Sequence, residues 1–222
     1  MYILSSPQPH NPTGRLWTET ELTAFGNICI ENNVTIVSDE IHCDITRSGI
    51  SHVPLAKLFP DATNIITLMA PSKTFNLAGF LIANVIIPDA SLRTTWKKRH
   101  YMFENPLSLA AAQAAYKSGG PWLEELITYL DANFTFTKEY LTANLPEAKV
   151  EIRAATYFAW IDMLAYFPAT ENLTLYFAKH AGVILEGGNM FVTNADGFMR
   201  INLACPCTIL EQALERIAKV CK

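Results

Sequence analysis

The chain has 222 residues, half of them hydrophobic and 17% charged, with a formal net charge of −4. That composition supplies a sizeable core and argues against disorder. The acidic balance argues against a nucleic-acid partner, which a basic surface would have to meet.

The one basic run, Lys97-Lys98-Arg99-His100, reads as the wet side of a helix. Cys29, Cys43, Cys205, Cys207 and Cys221 lie mostly among apolar neighbours and read as free thiols in a reducing compartment. Cys205-Pro206-Cys207 has no second Cys/His pair at zinc-site spacing, so no metal is expected. Met1-Tyr2-Ile3-Leu4 has neither the basic region nor the apolar stretch of a signal peptide. No apolar run reaches membrane-spanning length. The expectation is a soluble cytoplasmic protein with no membrane partner.

In chain order, Tyr2 to Ser5 reads as a strand, followed by the turn-rich Pro7 to Gly14. Thr18 with Glu21 forms a capping box, and Leu22, Phe25, Ile28 and Cys29 give the helix behind it an apolar face. Val34 to Ser38, Ile65 to Met69 and Leu81 to Ile87 read as further strands. Apolar strands alternating with helices predict an α/β fold with a mostly parallel, doubly covered sheet.

The second half predicts helices over Ser91 to Met102, Leu107 to Lys117 and from Gly119-Gly120-Pro121 to about Leu145. Strands follow at Val150 to Arg153, Tyr157 to Asp162 and Met199 to Leu203, with a helix over Glu171 to His180 ended by Gly182. A last helix carries a second capping box, Thr208 with Glu211, and an apolar face of Leu210, Leu214, Ile217 and Cys221. This part reads as a smaller α+β module. The expected division is 1–118 and 119–222, with the boundary near Ser118 to Pro121.

"SDEIHCD", residues 38–44, ends a buried strand on two carboxylates, a costly arrangement unless something positive meets them. In open α/β sheets ligands bind at the carboxyl ends of strands. Three such ends carry suggestive chemistry: Asn11 after the first strand, Asp39 and His42 after the second, Ser72-Lys73 after the third.

The ordered stretches "NPTG", "SDEIH", "APSKTFNLAG" and "GFMRINLACP" resemble the class I/II aminotransferase family of fold-type-I pyridoxal 5'-phosphate (PLP) enzymes. The likeness is to the cystathionine β-lyase/C–S lyase branch, runs from about residue 1 to 222, and takes in "PWLEELITYL" and "TYFAWID". The resemblance implies the C-terminal part of a PLP-dependent transferase fold: a remnant of the large PLP-binding domain followed by the small α+β domain. It implies that Lys73 is the catalytic amine that carries PLP, with Ser72 beside it in the cofactor site. Asp39 would face the ring nitrogen, Asn11 and His42 the ring oxygen. Arg200 would grip the substrate α-carboxylate through a two-pronged fork that lysine cannot reproduce.

Leu81 stands where the family has a polar residue or a phosphate-binding arginine, and Val192 stands where it has glycine. Complete enzymes of the family are nearly twice as long and form homodimers. A phosphate cradle and a ring-stacking aromatic are expected from a missing first half, so little activity and weak PLP binding are expected of this chain without a matching N-terminal half. The implied activity is cleavage of a cystathionine-like amino acid at its carbon–sulfur bond. The alternatives are a PLP-dependent aminotransferase on the same scaffold and a non-catalytic remnant or regulatory protein.

Overall fold

The computed structural model describes residues 2–100 and 103–221. It divides into two compact units: one runs through Leu126 without Asn11–Gly14, and the other joins Asn11–Gly14 to the residues from Ile127 onward.

In the first unit, β1 (Tyr2–Pro7), β2 (Val34–Asp39), β3 (Ile65–Met69) and β4 (Asn84–Ile86) form one sheet in that order. The pairs β1–β2 and β2–β3 are parallel and β3–β4 is antiparallel. The predicted strand Leu81 to Ile87 is thus shortened. Ala78–Phe80 forms a 3-10 turn, and Leu81 takes a left-handed φ of 50° that breaks extended pairing.

Helix α1 (Glu19–Glu31) starts at the predicted capping box. The Glu21 N–H donates to Thr18 Oγ1 at 3.2 Å, and the Thr18 N–H donates to Glu21 Oε2 at 2.9 Å. Its inner face buries Leu22, Gly26 and Cys29, which join Ile36, Ile65 and Leu55 of α2 (Leu55–Leu58) in a core on one face of the sheet. Ile28, placed on that face by periodicity, points outward instead. The opposite face presents Ile3, Val37, Ile66, Leu68 and Val85 around an apolar hollow that α4 (Ala90–Arg99) borders with Leu92 and Trp96. The expected end of that helix at Met102 lies outside the described residues. Helix α3 (Pro71–Thr74) follows β3, and α5 (Pro106–Ser118) is capped by the Asn105 side chain, which accepts from the Leu107 N–H at 2.9 Å.

Helix α6 (Gly120–Asn144) contributes to both units, the division falling after Leu126. In the second unit, β5 (Lys149–Val150), β6 (Phe158–Asp162), β7 (Glu186–Gly187) and β8 (Phe198–Asn202) form an antiparallel sheet in the order β5-β6-β8-β7. Its core joins Ile161, Met199 and Ile201 of the sheet to Phe134 and Leu141 of α6. Phe177 of α7 (Leu173–His180) and Leu210, Leu214 and Ile217 of α8 (Cys207–Val220) complete it. Asn133, buried in α6, satisfies its amide by donating to the Leu203 carbonyl at 2.8 Å and the Cys205 carbonyl at 3.1 Å.

The second predicted capping box does not form. Helix α8 begins one residue before Thr208, with Pro206 at the cap position and no side-chain cap. The Tyr129 hydroxyl of α6 accepts the Cys207 N–H at 2.8 Å, satisfying one of the free N–H groups of the first turn. The cysteines are free, with Cys29 buried and the other four half-buried. No helix among the described residues is long and apolar enough to cross a membrane.

The turn Gly188–Met190 after β7 packs so closely on Ala195 that a Cβ at Gly188 would run into the Ala195 carbonyl oxygen. Gly188→Ala should therefore cost about 1–3 kcal/mol in urea denaturation through overpacking. Stability equal to or above that of the unsubstituted protein would contradict this packing.

Candidate active site

Strand β2 ends beside both parallel neighbours. Asp39 pairs in register with Pro7 of β1 and Leu68 of β3, and its carbonyl accepts the Gln8 N–H at 2.8 Å. The ladder continues one residue further, the Glu40 N–H donating to the Leu68 carbonyl at 2.9 Å. Side chains alternate along a strand, so the two carboxylates part to opposite faces.

Glu40 turns toward the packed core and is fully buried. Its Oε1 accepts Ser38 Oγ–H at 2.8 Å and the Leu55 N–H at 3.2 Å, and its Oε2 meets His52 Nε2 at 2.8 Å. Asp39, half-buried on the other side, receives the Ile41 N–H at 3.3 Å as its one side-chain hydrogen bond among the described residues. Among the described residues no ion pair involves it. Burial pushes its carboxyl above the ordinary carboxylate pKa, the Ile41 N–H pulls it back, and the nearby Glu40 charge adds to the rise.

The segment after β2 doubles back through turns, the Cys43 N–H donating to the Glu40 carbonyl and the Ile45 N–H to the His42 carbonyl. His42 is buried within it. Burial and the Asp44 carboxylate push the Cys43 thiol up to about 12, which leaves it protonated and unreactive at neutral pH. Asp44 Oδ2 accepts Thr74 Oγ1–H at 2.9 Å, tying this segment to α3.

That tie places Ser72 and Lys73, in the turn after β3, next to the segment after β2. Pro71 opens the turn at the first helical position, where its missing N–H costs nothing. Phe75 anchors the far side against the Tyr116 ring at 6.4 Å and the Trp122 ring at 5.9 Å, and Asn84 Nδ2 donates to the Tyr116 oxygen at 3.0 Å. Lys73 is half-buried, and among the described residues no hydrogen bond or ion pair involves its ammonium. A half-buried lysine amine can condense with a carbonyl, and a partly desolvated carboxylate can take a proton-bearing heterocycle as its cation.

The other two candidates lie in the second unit. Arg200 sits on β8 opposite Trp160 of β6 and Glu186 of β7. Its Nη1 donates to Asn11 Oδ1, and its Nε and Nη2 both donate to Glu186 Oε2. The guanidinium carbon lies 3.8 Å from the Phe158 ring centroid and 4.5 Å from that of Phe191. Asn11 reaches this unit with the 11–14 loop, held there by the Ala155 N–H donating to the Gly14 carbonyl at 3.0 Å. The Tyr157 hydroxyl is pushed up by burial, with the Arg200 charge opposing the rise.

The six candidates thus form two groups: Asp39, His42, Ser72 and Lys73 at adjacent strand ends of the first unit, and Asn11 bonded to Arg200 in the second. Reading the sequence missed His52, Thr74, Tyr116, Glu186 and the two rings over Arg200. The "YF" of "TYFAWID" and the "MF" after "EGGN" were visible, but nothing local paired them with an arginine.

Residues 3–217 match the family described as Aminotransferase class I and II. The cystathionine beta-lyase PatB of Bacillus subtilis is 39% identical over 222 residues, covering 98% of this chain and 57% of PatB. The crystal structure of the PLP-bound C–S lyase from Staphylococcus hominis superposes with a TM-score of 0.96 at 46% identity, covering all of this chain and 58% of that one. Cystalysin from Treponema denticola, which contains a pyridoxal 5'-phosphate cofactor, superposes at 0.93 with 32% identity over 98% of this chain and 57% of its own. The chain spans a little over half the length of these relatives. Its α/β architecture is that of the PLP-dependent transferase fold in part, and the chain belongs to the class I and II aminotransferase family.

Proposed function

We propose that this chain carries the cofactor-holding lysine and the substrate-carboxylate site of a PLP-dependent carbon–sulfur β-lyase acting on a cystathionine-like amino acid. The observation that carries the reading is Asp39: a half-buried carboxylate at the end of β2 without a protein cation among the described residues, next to the strand whose following turn bears Lys73. The similarity to PatB and to the Staphylococcus hominis lyase favours β-elimination over transamination.

The residues suit the ring and carbonyl of PLP. The exposed Leu81, at the place of the family's phosphate-binding arginine, offers no charge to its phosphate. PLP, when bound, supplies an electron sink for negative charge at the substrate Cα. Asp39 holds a proton on the ring nitrogen and keeps that sink strong. By the family resemblance, Asn11 and His42 would each contact the ring oxygen, and Ser72 would line the cofactor site beside Lys73. Lys73 would hold the cofactor through its Nζ and would be the base that takes the proton from the substrate Cα. Arg200 fixes the α-carboxylate through its fork. Breaking the Cα–H and Cβ–S bonds releases a thiol, and hydrolysis of the remaining fragment gives pyruvate and ammonia.

Borohydride reduction in the presence of PLP, followed by peptide mapping, should place the pyridoxyl group on Lys73. A label chiefly on Lys97, Lys98 or any other lysine would remove the central assignment. With a matching N-terminal half supplied, pyruvate release from cystathionine without an added keto acid separates the lyase from an aminotransferase.

With a matching N-terminal half restored, Asp39→Asn should lose PLP-dependent turnover, and in the cofactor-free chain it should raise stability near neutral pH. The folded carboxyl binds its proton more tightly than the unfolded one, so its ionisation costs stability above the raised pKa and nothing below the ordinary carboxylate range. The gain, about 1 kcal/mol or less for a half-buried group, should fade as pH falls through that window in urea denaturation. A variant less stable at every pH, or one with unimpaired turnover, would contradict the role.

A further inference from the structure

Arg200 is held on every side that the second unit offers it. Phe158 and Phe191 lie against its guanidinium, Asn11 Oδ1 takes one Nη1 hydrogen, and Glu186 Oε2 takes the Nε hydrogen and one from Nη2. A guanidinium has five N–H donors, so among the described residues one hydrogen on Nη1 and one on Nη2 remain for a ligand. These two suit the oxygens of a carboxylate.

Glu186 is an unusual neighbour for a carboxylate receptor. It lies directly opposite Arg200 on the edge strand β7, so its charge meets the same cation that the ligand must use. Its side chain is 44% exposed, whereas that of Arg200 is 9% exposed. The acid can swing into water, and the base cannot. Removing Glu186 would not leave the guanidinium loose, because Asn11 and the two rings hold it from other directions. What Glu186 adds is therefore charge rather than orientation.

We propose that Glu186 is a specificity-determining residue that competes internally for Arg200 and holds down its affinity for carboxylate ligands. The proposal rests on the reading of Arg200 as the carboxylate binder. A bound carboxylate places a second anion on a cation already neutralised, and either repels Glu186 or drives it outward. Glu186→Gln keeps an oxygen that accepts from Nε while deleting the charge, so it isolates the competition from any loss of hydrogen bonding.

The test uses acetate as probe, its affinity read from the concentration dependence of the thermal unfolding midpoint at constant ionic strength. Glu186→Gln and Glu186→Ala should each bind acetate roughly five- to tenfold more tightly than the unsubstituted chain. Arg200→Lys should abolish the effect in each background. If both Glu186 variants bind acetate no more tightly while Arg200→Lys still removes binding, the competition is wrong and the receptor assignment stands. If Arg200→Lys leaves acetate affinity unchanged, the receptor assignment falls and the role of Glu186 falls with it.

Discussion

Two adjacent carboxylates at the end of β2 meet opposite fates, and the rest of the first unit is arranged around that difference. Glu40 is the deeper of the two and is satisfied on both oxygens by Ser38, Leu55 and His52. Buried charge is tolerated on those terms. Asp39 sits on the other face of the same strand with a single N–H at 3.3 Å. Glu40 locks the strand end to α2 and His52, which fixes the backbone from which Asp39 projects. One acid is tied into the fold, and its neighbour keeps one N–H partner among the described residues.

The second unit treats its central charge differently. Arg200 is closed in by an acid, an amide and two rings. Asn11 and the two rings fix the guanidinium in place, and fixing of that kind lowers the entropy lost when any ligand arrives. The first unit thus presents an anion without an ion pair among the described residues and the second a caged cation, each set by contacts within its own unit.

The sequence revealed those parts of the fold whose causes are local. The Thr18–Glu21 capping box lies within four residues and formed as read, whereas α8 starts ahead of Thr208 and its first N–H, that of Cys207, is met by Tyr129, 78 residues away. The parallel strands were legible from their apolar runs. The shortening of the fourth was not, because it depends on the left-handed turn at Leu81. The candidate residues were found through ordered motifs. Their partners were missed because those contacts are distant in sequence: His52 is 12 residues from Glu40, and Asn11 is 189 from Arg200. Glu186 lies in a two-residue strand, too short for any periodicity to mark.

The central claim is that Asp39 is completed by a proton-bearing ring nitrogen, and nitrogen-15 NMR of ring-labelled PLP bound to the protein reads that proton directly. The account predicts a protonated ring nitrogen at neutral pH in the unsubstituted chain and loss of that signature in Asp39→Ala. An unprotonated nitrogen in the unsubstituted chain, or the same protonated signal in both proteins, would contradict it.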